Sequence, residues 1–293
     1  MRGRVTALRH PGPAHPDRIA SLAGRSLSAS GALAAGLTIN EAIAGFMAGA
    51  GIRGGAAALE GGAFAPFRYL MPALSTDGVH AAWYSAPHEP VGVTRLERAG
   101  ATFGLRDGAP FVHVHGVWRE SDGRRTGGHL LPHDCVIAEP IGIAAWGLTE
   151  HGIAAVEDPE TAFKIFHPAP LAGAADAPAS GPRTALARVR PNEDFCGAMT
   201  ELARRHGFAA AELHGCVGSL IQPLFADGAR VADIATEVFV QRGRVARDEA
   251  GDWRAEIDVT LVDTQGRIHA GRLVPGECPV CITFEVLMAE APQ

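Results

Sequence analysis

The chain has 293 residues, of which 47% are hydrophobic and 20% charged, with a formal net charge of −6 at pH 7. This composition predicts a compact folded protein rather than a disordered one, and the negative charge argues against a basic nucleic-acid-binding surface. No apolar run reaches the roughly 18 residues that a membrane span needs. Five scattered cysteines are typical of reduced thiols, so we predict a cytoplasmic location without structural disulfides.

Two segments of unusual composition divide the chain. Residues 1–24 contain "RHPGPAHP", whose prolines and glycine interrupt any amphipathic helix, and are predicted to be an N-terminal arm. Residues 167–184 are almost entirely Pro, Ala, Gly and Ser and are predicted to be a linker. Two domains remain, residues 25–166 and residues 185–293.

The first domain opens with a helix and continues in short strands. Thr38 and Glu41 have the spacing of a capping box, which predicts a helix through about Ala50 with Gly51 as its stop. A helix followed by a run of hairpins predicts an α+β fold. The predicted strands are Ala56–Leu59, Thr94–Leu105, Phe111–Trp118, Gly128–Leu131 and Cys135–Ala145.

The second domain repeats the first. "DGRRTGGHLLPHDC", from Asp122 to Cys135, aligns with "QGRIHAGRLVPGEC", from Gln265 to Cys278, at a constant offset of 143 residues. The upstream helix recurs at about residues 192–205, at an offset of 156. We therefore predict two tandem copies, each a mixed, mostly antiparallel sheet packed with a helix.

The two offsets differ by 13, which places an insertion of that length in the first copy, within residues 65–93. This segment contains both tyrosines of the chain, Tyr69 and Tyr84, together with Trp83. Its role is left open between a lid over a binding site and a contact in an oligomer.

One stretch of the first copy, "FVHVHGVWRESDGRRTGGHL" at residues 111–130, contains three histidines. Alternate side chains of a strand share a face, so His113 and His115 point the same way. A two-residue Asp-Gly loop would turn His129 to the other face. A three-residue loop at 121–123, with its glycine in the left-handed conformation, would pair His115 with His129 and place all three imidazoles together.

Three imidazoles on one face, with an open fourth position, are typical of a catalytic zinc site. We predict that His113, His115 and His129 bind zinc or another divalent transition metal. The alternative is a hairpin whose histidines are satisfied by water or backbone groups. At the offset of 143, the second copy carries Glu256, Asp258 and Arg272 instead, a set that can form ion pairs without a metal.

At these residues the chain resembles the plant and prokaryote conserved (PPC or PCC) domain family. The hallmark of that family is a His-x-His strand, an Asp-Gly turn and a Gly-Gly-His-Leu strand, which match residues 113–115, 122–123 and 127–130. The resemblance covers about residues 37–148 and, in degenerate form, residues 187–288. It implies an α+β fold, a trimer-like self-association and a metal held by the three histidines. The fold is similar to that of acetolactate decarboxylase, whose zinc is likewise held by three histidines.

The resemblance also implies DNA as a partner, since prokaryotic members are often labelled as DNA-binding. The AT-hook pattern of the plant members is not matched, because Arg2-Gly3-Arg4 is followed by Val5 instead of proline.

We therefore predict a metal-binding tandem protein that acts on or senses a small polar ligand, in the manner of a metal-dependent lyase or decarboxylase. Glu60, an acid in apolar surroundings before two glycines, is the candidate for proton transfer. Whether the protein is an enzyme is left open. The alternatives are a DNA-binding regulatory protein of the PPC family and a non-catalytic assembly module.

Overall fold

The structure is a computed structural model that describes residues 5–173 and 180–292. These residues form two α-helices and twenty β-strands. No helix among them is long and apolar enough to cross a membrane. The helices are α1 (Ile39–Gly49) and α2 (Phe195–Arg205). The first thirteen strands are β1 (Ile19–Leu33), β2 (Gly54–Glu60), β3 (Ala63–Phe64), β4 (Tyr69–Leu70), β5 (Pro72–Ala73), β6 (Trp83–Tyr84), β7 (Thr94–Arg106), β8 (Ala109–Arg119), β9 (Arg125–Leu130), β10 (Ile137–Glu139), β11 (Ile141–Leu148), β12 (His151–Glu157) and β13 (Lys164–Pro170). The remaining seven are β14 (Arg183–Val189), β15 (Ala210–Leu213), β16 (Val217–Leu220), β17 (Glu237–Arg247), β18 (Trp253–Val262), β19 (Ile268–Arg272) and β20 (Val280–Glu290).

Both helices begin at side-chain caps. The Thr38 hydroxyl accepts a hydrogen bond from the Glu41 backbone N–H at 3.2 Å, and the Glu41 carboxylate accepts one from the Thr38 N–H at 3.0 Å. The helix ends before Gly51, whose φ of 70° only glycine adopts at little cost. The capping box and the stop are both confirmed. α2 is capped by Asp194 and spans the α1 positions shifted by 156 residues.

Each copy is a mostly antiparallel sheet covered by its helix. In the first copy β7 pairs with β2 and β8, and β8 pairs with β9; in the second copy β17 pairs with β15 and β18, and β18 pairs with β19. The parallel pairing of β7 with β12 makes the first sheet mixed. One buried hydrophobic cluster contains α1 residues and another contains α2 residues, so each copy has a core of its own. The predicted α+β tandem fold is confirmed.

β1 pairs with strands of both copies. Its first half, Ile19–Arg25, pairs with β14 of the second copy, and its second half, Ser26–Leu33, pairs with β11 of the first. β1 thus begins inside the segment predicted as an arm, and β13 extends to Pro170, inside the predicted linker. β1 pairs with strands more than 100 residues further along the chain and β13 with the preceding strand β12, and the local composition of these segments did not predict either strand.

The copies approach closely where a glycine removes a side chain. A Cβ atom on Gly100 in β7 would lie 3.1 Å from both Phe239 Cβ and Val217 Cγ1, and 3.2 Å from the Gly215 carbonyl oxygen. All three atoms belong to the second copy. Phe239 and Val217 are buried in a cluster with Val117 of the first copy, so the contact between the copies is apolar and tightly packed.

Gly100→Ala is expected to destabilise the protein by about 1–3 kcal/mol, because the added methyl overpacks this contact. Gly45→Ala is the matched control, since Gly45 lies within α1 and a Cβ atom added there would meet open space. The higher helix propensity of alanine should make that variant about 0.5–1 kcal/mol more stable. Urea unfolding measures both, and equal stability of the two variants would contradict the close approach.

A candidate metal site between the two copies

The hairpin of β8 and β9 brings the three histidines together. The Glu120 N–H donates to the Arg124 carbonyl, so the loop is the three-residue Ser121–Gly123, and Gly123 has a φ of 87°. In this register His115 lies directly opposite His129. The structure therefore has the second of the two registers that the sequence left open, and the three imidazoles share a face.

Three ring nitrogens converge on one point. His113 Nε2 lies 2.8 Å from His115 Nε2, which lies 3.3 Å from His129 Nδ1. Among the described residues, these three side chains form a group whose ligand atoms all lie within 4.8 Å of one another. His115 is only 2% exposed, whereas His113 and His129 are half-buried.

The second copy supplies the partners of these histidines. His113 Nδ1 lies 2.9 Å from a carboxylate oxygen of Glu285 in β20, and His115 Nδ1 lies 3.0 Å from the backbone carbonyl oxygen of Val238 in β17. Glu237 places a carboxylate oxygen 2.6 Å from His115 Nε2. Glu237 and Glu285 are both buried, at 6% and 2% exposure. The site is thus composite, with imidazoles from one copy and carboxylates from the other.

These contacts fix the protons on two rings. A backbone carbonyl only accepts hydrogen bonds, so Nδ1 of His115 carries the hydrogen, and Nδ1 of His113 likewise donates to the Glu285 carboxylate. In the neutral rings both Nε2 atoms then present lone pairs to each other at 2.8 Å. Two lone pairs at that distance repel, and the Glu237 carboxylate is a third acceptor beside them. A positive charge at this point, either a proton on one of the Nε2 atoms or a metal ion, removes that repulsion.

The pKa values of His129 and His113 are shifted in opposite directions. Burial lowers the pKa of His129 well below its usual value, and the neighbouring His113 and His115 lower it further. Burial also lowers the pKa of His113, but the charge and hydrogen bond of Glu285 outweigh it, so the pKa is raised overall. The Glu285 carboxylate therefore compensates for positive charge at the cluster.

A cavity of about 490 Å³ opens from the histidines, and both His113 and His129 line it. Trp83 and Tyr84 of the insertion line it as well, and the Tyr84 ring centroid lies 5.1 Å from that of His129. Burial, together with the nearby Glu237 and Glu285 carboxylates, raises the pKa of the Tyr84 hydroxyl well above its usual value. The insertion therefore forms a wall of the cavity, as a lid would.

Three further polar side chains of the first copy do not belong to the histidine cluster, among them the sequence candidate Glu60. Glu60 is exposed at the end of β2 and lines a separate cavity with Arg98 and Gln241, so the structure does not bring it to the histidines. Glu139 is exposed and paired with Arg95 at 2.8 Å. His133 lines the 490 Å³ cavity but does not belong to the three-histidine cluster.

The equivalent face of the second copy is closed by ion pairs. Arg272 donates to both carboxylate oxygens of Asp258, at 2.9 and 3.1 Å, and to Glu256 at 3.3 Å. The predicted arginine–carboxylate cluster is present there. Sequence reasoning did not find Glu237 and Glu285, because their contacts to the histidines span more than 120 residues and leave no local pattern.

The family comparison concerns the second copy. Residues 177–292 match the family model of the Plants and Prokaryotes Conserved (PCC) domain. This match falls on the copy that lacks the three histidines and is therefore independent of them. No curated protein matches the chain. The likeness to acetolactate decarboxylase stays a prediction.

Several solved structures are similar to about half of the chain. A plant- and prokaryote-conserved (PPC) protein from Pyrococcus horikoshii is 19% identical, with 52% of this chain and 96% of that protein covered and a TM-score of 0.39. A metal-containing protein from Archaeoglobus fulgidus is 16% identical, with 50% and 97% covered and a TM-score of 0.39. A protein from Bacteroides thetaiotaomicron that is proposed to bind DNA is 14% identical, with 47% and 90% covered and a TM-score of 0.37.

Proposed function

We propose that the protein binds one divalent transition metal, zinc or a similar ion, through His113, His115 and His129, and that this site acts on or senses a small polar molecule. The observation that carries the proposal is the convergence of three ring nitrogens, with His113 Nε2 and His115 Nε2 only 2.8 Å apart and both rings hydrogen-bonded to the second copy through Nδ1. A cation between them would turn a repulsive contact into a stable one.

The surroundings of the rings fit such a metal. Metal-binding histidines usually donate their other N–H to a carboxylate or a backbone carbonyl, which orients the ring and raises its basicity. Glu285 and the Val238 carbonyl supply one partner of each kind. Three neutral imidazoles leave room for a further ligand, as in catalytic zinc sites.

A bound metal would supply Lewis-acid chemistry toward an oxygen atom of the ligand. The chain's own contribution to proton transfer is Glu237, whose buried carboxylate lies 2.6 Å from His115 Nε2. Glu237 thus takes the role that the sequence suggested for Glu60. Trp83 and Tyr84 line the cavity beside the histidines.

Metal content tests the proposal. The wild-type protein, purified without chelators and loaded with zinc, is expected to hold about one ion per chain, and the His113→Ala/His129→Ala variant none. Plasma mass spectrometry measures both.

The matched control is Glu256→Ala/Arg272→Ala, which changes the positions of the second copy equivalent to His113 and His129 and should retain the metal. Absence of metal from the loaded wild type, or its retention by the histidine variant, would refute the site. If chelation lowers the unfolding temperature and small ligands do not change it, the result would favour the alternative of a non-catalytic assembly module.

Glu285→Gln is expected to weaken zinc binding about 10-fold, the lower end of what such partners usually contribute, because the amide oxygen still accepts from His113 but carries no charge. Competition against a chromophoric chelator measures the affinity. Glu139→Gln, at an exposed carboxylate, should leave it unchanged. Equal zinc affinities of the two variants would show that Glu285 of the second copy does not affect metal binding.

A further inference from the structure

The charged side chains that line the 490 Å³ cavity differ in whether they form a salt bridge. Glu285 is paired with His113, Asp134 with Arg68 and Lys164 with Asp107. Arg106 also lines the cavity, yet none of the described residues forms a salt bridge with it. The lining therefore has one cation whose charge no neighbouring carboxylate neutralises by direct contact.

Strand pairing holds the backbone of Arg106 in place, and the residue is exposed. It is the last residue of β7, opposite Ala109 across the Asp107-Gly108 turn, and it also pairs with Ala155 of β12. Its guanidinium carbon lies 5.2 Å from the centroid of the Phe111 ring. Stacking of this kind fixes the plane of a guanidinium while its N–H donors stay free.

Phe111 links this arginine to the metal site. Phe111 and His113 are alternate residues of β8, so their side chains lie on the same face of the strand, and both line the cavity. The guanidinium and the metal-binding nitrogens therefore border one space. A volume of about 490 Å³ falls in the range of small-molecule sites.

We propose that the cavity binds a small carboxylate which also carries a carbonyl or hydroxyl oxygen. The carboxylate pairs with Arg106, and the second oxygen faces His113 and His129. A guanidinium recognises a carboxylate through two parallel hydrogen bonds, which gives orientation as well as affinity. This inference rests on the proposed metal site and adds the chemical class of its ligand.

The test uses the full chain loaded with zinc, with pyruvate as the charged probe and pyruvamide as its uncharged analogue. Calorimetric titration is expected to show tighter binding of pyruvate. Arg106→Gln should weaken pyruvate binding by about 10-fold or more, the loss expected for a charge-assisted hydrogen bond, and leave pyruvamide binding unchanged. Arg106→Lys, which keeps the charge without the planar fork, should recover part of the affinity.

The matched control is Arg247→Gln. Arg247 ends β17 as Arg106 ends β7, and its guanidinium carbon lies 4.8 Å from the centroid of the Trp253 ring, but it does not line the cavity. That variant should bind pyruvate as the wild type does.

Zinc content is measured on every sample, so that the two proposals fail separately. A zinc-loaded wild type that binds neither probe, or binds both equally, would overturn the carboxylate site and leave the metal site standing. Unchanged pyruvate binding by Arg106→Gln would do the same. A chain that takes up no zinc would overturn both.

Discussion

The hydrogen bonds from the histidines of β8 to the second copy are the constraint on which the site depends. They orient the rings of His113 and His115 through Nδ1, so that the Nε2 atom of each ring faces that of its neighbour. Without Glu285 and Val238 the same histidines would be free to rotate and to share protons. The second copy thus contributes hydrogen-bond partners to the candidate site.

The two copies have diverged in complementary ways. The first copy has the histidines; at the offset of 143, its counterparts of Glu237 and Glu285 are Thr94 and Gly142. The strand pairing supports this equivalence, because Gly142 lies opposite Ala32 in the first copy, and Glu285 lies opposite Arg188, which is Ala32 shifted by 156. The second copy has the carboxylates and replaces the histidines with the Arg272 cluster. All the proposed metal-binding and proton-transfer groups therefore lie at one contact between the copies.

Close packing between the copies positions the carboxylates against the histidines. Gly100 lets the backbones of the two copies approach, and β1 runs from one sheet into the other, so that the carboxylates reach the histidines from a fixed direction. The insertion of the first copy then encloses the open side with Trp83 and Tyr84, while Arg106 borders the cavity from the end of β7. Each of these features comes from a different part of the chain.

The sequence predicted those parts of the fold whose causes are local. The capping box at Thr38 and the alternation of His113 with His115 each follow from a few neighbouring residues, whereas the loop at Gly123 left two hairpin registers open. The internal repeat extended these predictions to the second copy, including the Arg272 cluster. By contrast, β1, Glu237 and Glu285 depend on contacts between the copies, and Glu60, chosen for its local surroundings, lies at a separate cavity.

The most direct test of a site shared by the two copies is anomalous diffraction at the zinc edge from crystals of the zinc-loaded protein. We expect one peak per chain, at the point where the ring nitrogens of His113, His115 and His129 meet, with Glu285 hydrogen-bonded behind His113. A peak beside Asp258 and Glu256, or none at the histidines, would contradict a shared site.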